Sequence, residues 1–418
     1  MTGASPERDH VVLFSTADWD NPFWTNKQHV ATVLEGLGHP VLYVDSVGLR
    51  RPAMTGSDMR RVARRVWKAL GGPRRVRPGL WVWSPVCIPL QGSDLARTTN
   101  RRMLDAMLGR HMRRLGLRGD ILWTYNPLST RLLDLSRFRT IVYHCVDDIA
   151  AQPGMPAAII EEAEVELFEA ATIVFATSPK LAERARAYAS NVHYLPNVAD
   201  FGHFSRALDP ATPVPADLEA IARPRLGFVG AIARYKMDFD LVLEVARRRP
   251  DWSIVLIGKV GEGDPWTDTR PLAEAPNIHL MGPRPYAELP GYLKGMDVAI
   301  LPSAVNAYTE AMFPMKFFEY LAAGRPVVGV ELPALLPFRG VVALARSADD
   351  FVAAVDGALA DPERGLDERL RIARMHTYEA RTKAMLALID GKPAEADVSV
   401  GEARVDASLV PEGLFEAR

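Results

Sequence analysis

The segment from residue 314 to residue 328 contains residue types suited to binding a charged, hydroxyl-bearing molecule. Pro314 is placed to open a helix at its first turn, where a missing N–H group costs nothing. The backbone N–H groups of Met315 and Lys316 are then free to point at an anion or at sugar hydroxyls. Glu319 follows one turn later and faces the same side as Met315. The segment therefore predicts a helix start with a carboxylate beside it, where such a ligand binds.

Two series of alternating strands and helices position this segment. Short β-branched runs alternate with amphipathic runs, which is typical of βα units in a parallel sheet. We expect strands at 10–16, 40–45, 80–85, 121–125, 140–146, 172–177 and 192–196, then at 225–230, 253–258, 278–282, 298–302, 326–330 and 341–344. We expect helices at 22–37, 59–70, 94–115, 156–170 and 179–188, then at 238–248, 286–294, 314–323 and 347–360.

The length of 418 residues exceeds what one hydrophobic core holds, so we expect an α/β protein with two domains. The first domain spans 1–204 and the second 225–361, joined by a Pro-rich linker at 205–224. An amphipathic run at 362–391 forms a crossover helix, and the tail at 392–418 is expected to be poorly ordered. Because open parallel sheets bind ligands at the carboxyl ends of their strands, two such domains imply a cleft between them.

The composition places the chain among globular proteins, since 48% of its residues are apolar and its formal net charge is −1. No signal peptide is visible at the start, and no apolar run approaches the roughly 18 to 20 residues that span a bilayer. The two cysteines, Cys87 and Cys145, lack the spacing of a metal site or redox pair. We expect both to be buried thiols of a cytoplasmic protein, without a nucleic-acid partner.

The run PMKFFEYLAAGRPVV at 314–328 resembles the family-4-type retaining glycosyltransferases, which have the GT-B fold of two Rossmann-like domains facing across a cleft. In that family a helix of the second domain carries a glutamate that binds the donor ribose hydroxyls, followed by A-x-G-x-P-V-V. Glu319 and AAGRPVV occupy those places. A further family glutamate contacts the transferred sugar, with seven residues between the two, but Ala311 stands there. Glu310 is our candidate to replace it.

The run GFVGAIARYK at 227–236 resembles the family's glycine turn, whose following basic side chains hold the donor diphosphate. Gly230 is the glycine of that turn. Ala231 stands where the family tends to have an arginine, so the resemblance assigns the diphosphate to Arg234 or Lys236. A leaving group with about two negative charges needs such cations or helix N-termini. The alternative is that either side chain is a solvated surface charge.

Two more strand ends carry candidate residues. The run HLMGPRPY resembles the family's base-side strand, where backbone groups after a glycine, here Gly282 and Arg284, meet the nucleobase. The run VYHCVDD ends a first-domain strand at the cleft edge, and His144 or Asp147 there matches a family group that touches the donor sugar. A buried histidine bonded to the backbone is the structural alternative for His144.

The loop TADWDNPFW at 16–24 joins the first strand to the first helix. It carries Asp18 and Asn21 instead of a glycine run, and we assign these two residues to the acceptor. An N-capping Asp/Asn cluster with Pro22 at the helix start explains the same residues equally well.

The predicted helix at 59–70 combines an apolar stripe with a row of basic residues. Its apolar residues recur at intervals of three and four, and the basic ones lie beside them: Met59, Val62, Ala63, Val66, Trp67 and Leu70 against Arg60, Arg61, Arg64, Arg65 and Lys68. The hypothesis is that this helix rests on an anionic membrane surface and brings the cleft to a lipid-linked acceptor. An ordinary helix packed on the sheet is the alternative.

These resemblances, which extend over about residues 10 to 390, imply a hexosyltransferase-type glycosyltransferase that uses a nucleotide-diphosphate-sugar donor and a glycan or lipid-linked acceptor, with retention. They imply a role in bacterial cell-surface polysaccharide or glycolipid synthesis at the inner face of the membrane. We expect no cofactor and no required metal. A sugar-nucleotide epimerase, active without an acceptor, and a non-catalytic nucleotide-sugar-binding protein remain alternatives. A nicotinamide dehydrogenase fits worse, because no G-x-G-x-x-G follows the first strand.

Overall fold

The computed structural model describes residues 8–21, 24–47, 71–87, 94–261, 264 and 266–393. Its strands, in chain order, are β1 (Val11–Phe14), β2 (Val41–Val44), β3 (Arg74–Arg77), β4 (Leu80–Trp83), β5 (Ile121–Thr124), β6 (Thr140–Cys145), β7 (Ile173–Ala176), β8 (Val192–Tyr194), β9 (Arg225–Val229), β10 (Ser253–Ile257), β11 (Ile278–Gly282), β12 (Val298–Leu301), β13 (Val327–Val330) and β14 (Ala343–Ala345).

The α-helices of these residues are α1 (Asn26–Gly36), α2 (Asp94–Leu115), α3 (Ser129–Leu132), α4 (Ala157–Ala170), α5 (Pro179–Arg186), α6 (Phe201–Phe204), α7 (Ala216–Glu219), α8 (Phe239–Arg248), α9 (Arg270–Glu274), α10 (Leu289–Lys294), α11 (Ala307–Glu310), α12 (Lys316–Ala322), α13 (Ala348–Ala360), α14 (Leu366–Met375) and α15 (Tyr378–Ile389). Short 3₁₀ helices lie at Leu135–Arg137, Ser205–Leu208, Tyr286–Glu288 and Pro333–Phe338.

The first sheet has eight strands in the order β3-β4-β2-β1-β5-β6-β7-β8. All neighbours pair in parallel except β3 and β4, which pair antiparallel. Strand β3 was not predicted, because its sequence RRVR lacks an apolar run. Its exposed arginines blunt the sheet edge against pairing with another chain. The central strands are buried, as βα units with helices on both faces require.

The second sheet is parallel, with six strands in the order β11-β10-β9-β12-β13-β14. The chain makes a close approach where β9 and β10 end. Gly258 has φ +152°, and a Cβ atom there would lie 1.7 Å from the carbonyl oxygen of Gly230. Only glycine fits at Gly258, so the two strand ends stay close together at the edge where ligands bind in such sheets.

The end of the chain returns to the first sheet. Residues Ala384 and Met385 of α15 pack into the apolar core formed by β1, β2 and β5. The predicted crossover run is two helices rather than one, because Thr377 interrupts it and caps α15 by accepting a hydrogen bond from Ala380 N. The last helix therefore joins the two sheets.

Other predictions differ in detail from the structure. The first helix begins at Asn26 rather than near residue 22, because Thr25 and Gln28 form a capping box there. The predicted linker contains α7 and a 3₁₀ turn. The basic helix predicted at 59–70, and the tail beyond residue 393, lie outside the described residues. No helix in the described part of the chain is long and apolar enough to cross a membrane.

Candidate active site between the two sheets

Glu319 lies on α12, a helix that packs against the end of β9. The Glu319 side chain is buried at 5% exposure, and Lys316 Nζ donates to its two carboxylate oxygens at 3.0 and 2.9 Å. Burial raises the pKa of Glu319, and the Lys316 charge partly opposes that effect. Next to it, Tyr320 OH accepts a 2.8 Å hydrogen bond from Val229 N, which holds the helix at the strand end. Met315 is the N-cap residue before this helix.

A buried set of hydrogen bonds, here called the polar bridge, ties this helix start to the first sheet. It consists of Asn26, Pro196, Asn197, Phe313 and Arg381. Asn197 Nδ2 donates to Phe313 O at 2.7 Å, and Asn26 Nδ2 donates to Asn197 Oδ1 at 2.8 Å. Arg381 donates to Asn26 Oδ1 at 2.6 Å and to Pro196 O at 3.0 Å. The bridge connects Phe313, three residues before α12, to α1 and α15.

His144 lies near the end of β6 and is fully buried. Its Nδ1 atom lies 3.1 Å from Tyr125 OH and accepts from Trp123 Nε1 at 3.4 Å. We therefore assign the proton to Nε2, which has no hydrogen-bond partner among the described residues. Burial lowers the pKa of His144 well below its ordinary value, with the charges of Arg381 and Lys27 adding to the effect. His144 is neutral near pH 7.

Asp147 follows β6 and takes part in a group of charged and aromatic residues from both sheets. This cross-cleft cluster comprises Lys27, Asp147, Lys236 and Tyr308. Tyr308 OH donates to Asp147 Oδ1 at 3.4 Å. Lys236 Nζ lies 5.8 Å from the ring centroid of Tyr308, and the charges of both Asp147 and Lys236 act on Lys27. The structure thus brings the predicted residues Asp147 and Lys236 into one place.

The other predicted donor residues lie along the carboxyl edge of the second sheet. Arg234 is half exposed, with Asp240 at 3.5 Å and the Phe239 ring centroid at 5.3 Å. Gly282 has φ +70° and open space where a Cβ atom would lie. The Arg284 guanidinium donates to Tyr292 OH and to Asp217, at 2.7 Å each, so its side chain is held by partners within the protein.

Glu310 lies at the rim of the cleft. Its carboxylate pairs with Lys180 of α5 at 3.1 Å, and both side chains are partly exposed. The neighbouring Ala311 is buried, and its carbonyl oxygen accepts a 2.7 Å hydrogen bond from Ser178 Oγ. Glu310, which ends α11 of the second sheet's half, therefore pairs across the cleft with a residue of the first sheet's half.

The acceptor candidates Asp18 and Asn21 lie in one turn before α1. Asn21 N donates to Asp18 O at 3.1 Å, and Gln28 Nε2 donates to the same oxygen at 3.0 Å. The alternative of an N-capping Asp/Asn cluster is wrong, since Thr25 is the N-cap residue. Trp19 anchors the turn, with its ring centroid 5.2 Å from that of Tyr43.

Sequence reasoning missed Lys27, Tyr308 and Arg381, each of which lies on a different element. No short motif contains them, because the topology brings them together. One signal was present for Lys27, since the polar run Asn26, Lys27 and Gln28 opens a helix that turns these side chains inward. Within the described ranges, no group of three or more His, Cys, Asp or Glu side chains is arranged to hold a metal ion.

Comparison with known proteins agrees with this architecture. Residues 223–361 match the family described as Glycosyl transferases group 1. A protein of Bacillus subtilis (strain 168), named as a teichuronic acid biosynthesis glycosyltransferase, is 30% identical over 226 residues, which cover 51% of this chain and 56% of that protein. The chain therefore spans about half the length of this relative.

Solved structures share the fold at low identity. Sucrose-phosphate synthase from Thermosynechococcus elongatus has a TM-score of 0.62 at 16% identity, covering 92% of this chain and 99% of that chain. Anabaena Alr3699/HepE in complex with UDP-glucose has a TM-score of 0.61 at 12% identity, covering 91% of this chain and 99% of that chain. The chain has the GT-B fold of glycosyltransferases, and its second half carries the match to glycosyl transferases group 1.

Proposed function

We propose that this protein transfers a glycosyl group from a uridine-diphosphate sugar to a glycan or lipid-linked acceptor. The observation that carries the proposal is the buried carboxylate Glu319, paired with Lys316, and beside it stands the cluster that brings Lys236 of the second sheet near Lys27 of the first. A carboxylate accepts hydrogen bonds from two neighbouring ribose hydroxyls, and ammonium groups neutralise a diphosphate. The UDP-glucose complex of the HepE neighbour supports uridine as the base.

The placement of the donor follows from these groups. The ribose lies at Glu319, the nucleobase at the backbone of Gly282 and Arg284, and the diphosphate at Lys236 with Arg234 at its edge. The transferred sugar then extends toward Asp147 and the wall containing His144. Retention of the anomeric configuration is part of the proposal and rests on the resemblance of residues 314–328. Proton NMR of the anomeric centre of the product tests it.

The acceptor is proposed to belong to a cell-surface polysaccharide, supported by the teichuronic acid relative. Asp18 and Asn21 are proposed to face it, and the basic segment at 59–70 to hold the enzyme at the inner face of the membrane. Sedimentation with liposomes tests the membrane contact. The proposal predicts more pelleting with anionic than with neutral lipid. Equal pelleting with both, or none, contradicts it.

A nucleotide screen tests the donor class. A ligand that binds only the folded state raises the melting temperature, so UDP and UDP-sugars are expected to raise it more than UMP or other nucleoside diphosphates. Turnover of a UDP-sugar that depends on an added acceptor distinguishes transfer from epimerisation, which needs none. Binding without any hydrolysis or transfer would support a non-catalytic sugar-nucleotide-binding protein.

A further inference from the structure

Lys27 is a buried lysine whose charge is poorly satisfied. It lies in the first turn of α1 at 8% exposure. Among the described residues its ammonium group has no hydrogen-bond partner, and it lies 5.5 Å from the centroid of the Tyr125 ring. A buried ammonium without hydrogen bonds is costly unless a charged partner or ligand compensates it. Burial accordingly lowers the pKa of Lys27.

The charges around Lys27 leave an excess of positive charge. Asp147 is the acidic group that acts on it, and Lys236 from the second sheet is the like charge that opposes it. Asp147 also accepts from Tyr308 OH at 3.4 Å. The cluster contains two ammonium groups and one carboxylate, so it carries one net positive charge when the lysines are protonated. An anion placed between the two lysines would remove the repulsion between them.

The chemistry of the anion follows from the position of Lys236. This lysine follows the glycine turn at the end of β9, where the proposed function places the donor diphosphate. Lysine ammonium is a compact charge with three donors, suited to phosphate oxygens. With the ribose proposed at Glu319 and the sugar toward Asp147, the β-phosphate is expected between them.

We infer that Lys27 is a further donor-binding residue, which contacts the β-phosphate of the nucleotide from the first sheet while Lys236 contacts the diphosphate from the second. The inference rests on the proposed function and deepens it. It makes the diphosphate a link between the two sheets, because each contributes one cation to the same ligand. The binding of UDP is therefore expected to depend on Lys27, whereas the binding of UMP, which lacks the β-phosphate, is not.

Isothermal titration calorimetry with UDP and UMP tests the inference on the full chain. Lys27→Met is expected to weaken UDP binding by at least ~10-fold, the loss of one charge-assisted contact, and to change UMP binding by less than ~3-fold. Lys27→Arg keeps the charge and is expected to retain more UDP affinity than Lys27→Met. Lys383→Met is the matched control, because Lys383 is exposed and pairs with Glu379 on α15.

The melting temperature of the free protein gives an independent readout. A lysine kept for a ligand is costly to bury, so Lys27→Met is expected to melt at or above the wild-type temperature. If Lys27→Met does not fold, Lys27→Gln takes its place. Equal UDP affinity in wild type and an uncharged variant would overturn the inference alone. A wild-type protein that binds neither UDP nor UMP would overturn the proposed function and the inference with it.

Discussion

Two cations are buried between the sheets, and their surroundings differ. Arg381 is fully buried and donates to Asn26 Oδ1 and to Pro196 O, so its charge is spread over fixed acceptors of the protein. Lys27 is nearly as buried, yet among the described residues it has no hydrogen-bond acceptor, and the charges of Asp147 and Lys236 act on it in opposite directions. A cation whose partners are built into the protein stabilises the interface. A cation without them is available to a ligand.

Two buried carboxylates show the same difference. Glu164 accepts a 2.5 Å hydrogen bond from Tyr143 OH and pairs with Arg184 at 2.8 Å, and both partners belong to the first sheet's core region. Glu319 has Lys316 alone as its side-chain partner among the described residues, and it lies between the sheets. Buried charged groups with two partners in the protein and those with one partner or none therefore separate by location, with the latter at the proposed donor site.

The largest expected effect comes from removing Arg381, the cation that has acceptors within the protein. Arg381→Met leaves the buried acceptors of Asn26 and Pro196 without a donor, so we expect a loss of roughly 2 to 4 kcal/mol of stability. The urea midpoint and melting temperature check this result. Lys27→Met, compared under the same conditions, is expected to show no loss. Equal destabilisation by the two variants would contradict the claim that Arg381 stabilises the interface whereas Lys27 does not.

His29 is a third basic group at the interface, and its protonation is expected to make the stability of the protein depend on pH. Its ring stacks on Tyr378 of α15 at 4.1 Å, and burial lowers the pKa of His29 to about 4 from the ordinary value of 6.5. The unfolded chain therefore takes up a proton near pH 6.5, while the folded protein does so only near pH 4. The stability that His29 contributes is present above pH 6.5 and is lost as the pH falls toward 4, by up to about 3 kcal/mol.

His29→Gln separates this titration from other acid effects. The variant loses the ring stacking at every pH, but its stability is expected to fall less between pH 6.5 and 4 than that of the wild type. Urea unfolding at the two pH values measures the difference. The same pH dependence in both proteins would show that protonation of His29 does not oppose folding.

The smallest effect on stability is expected at the exposed rim. Glu310→Gln and Lys180→Gln break the same partly exposed ion pair, so each should change stability by no more than about 1 kcal/mol. Their turnover separates two roles for Glu310. A loss in Glu310→Gln alone supports contact of its carboxylate with the donor sugar. Equal turnover in both variants and wild type contradicts that role.

Local sequence patterns predicted the parallel strands and the motif around Glu319. Buried β-branched runs identified the parallel strands, whereas β3 was missed because its arginines carry no apolar period. The run around Glu319 was visible as a single motif. Lys27 was not, since its importance depends on Asp147 and Lys236, which are more than one hundred residues away and meet it only through the topology of the sheets. Arg381 could not be predicted for the same reason, because it reaches the interface only through the return of α15 to the first sheet.

Calorimetry on Glu319→Gln beside a melting curve tests the central claim most directly. Glutamine keeps the size of the side chain and removes the charge that binds the ribose hydroxyls, so UDP affinity is expected to fall by at least ~10-fold while the protein stays folded. Glu164→Gln is the matched control, a buried carboxylate outside the donor site that is expected to leave UDP affinity unchanged. Wild-type UDP affinity in a folded Glu319→Gln variant would contradict the claim that this carboxylate holds the donor.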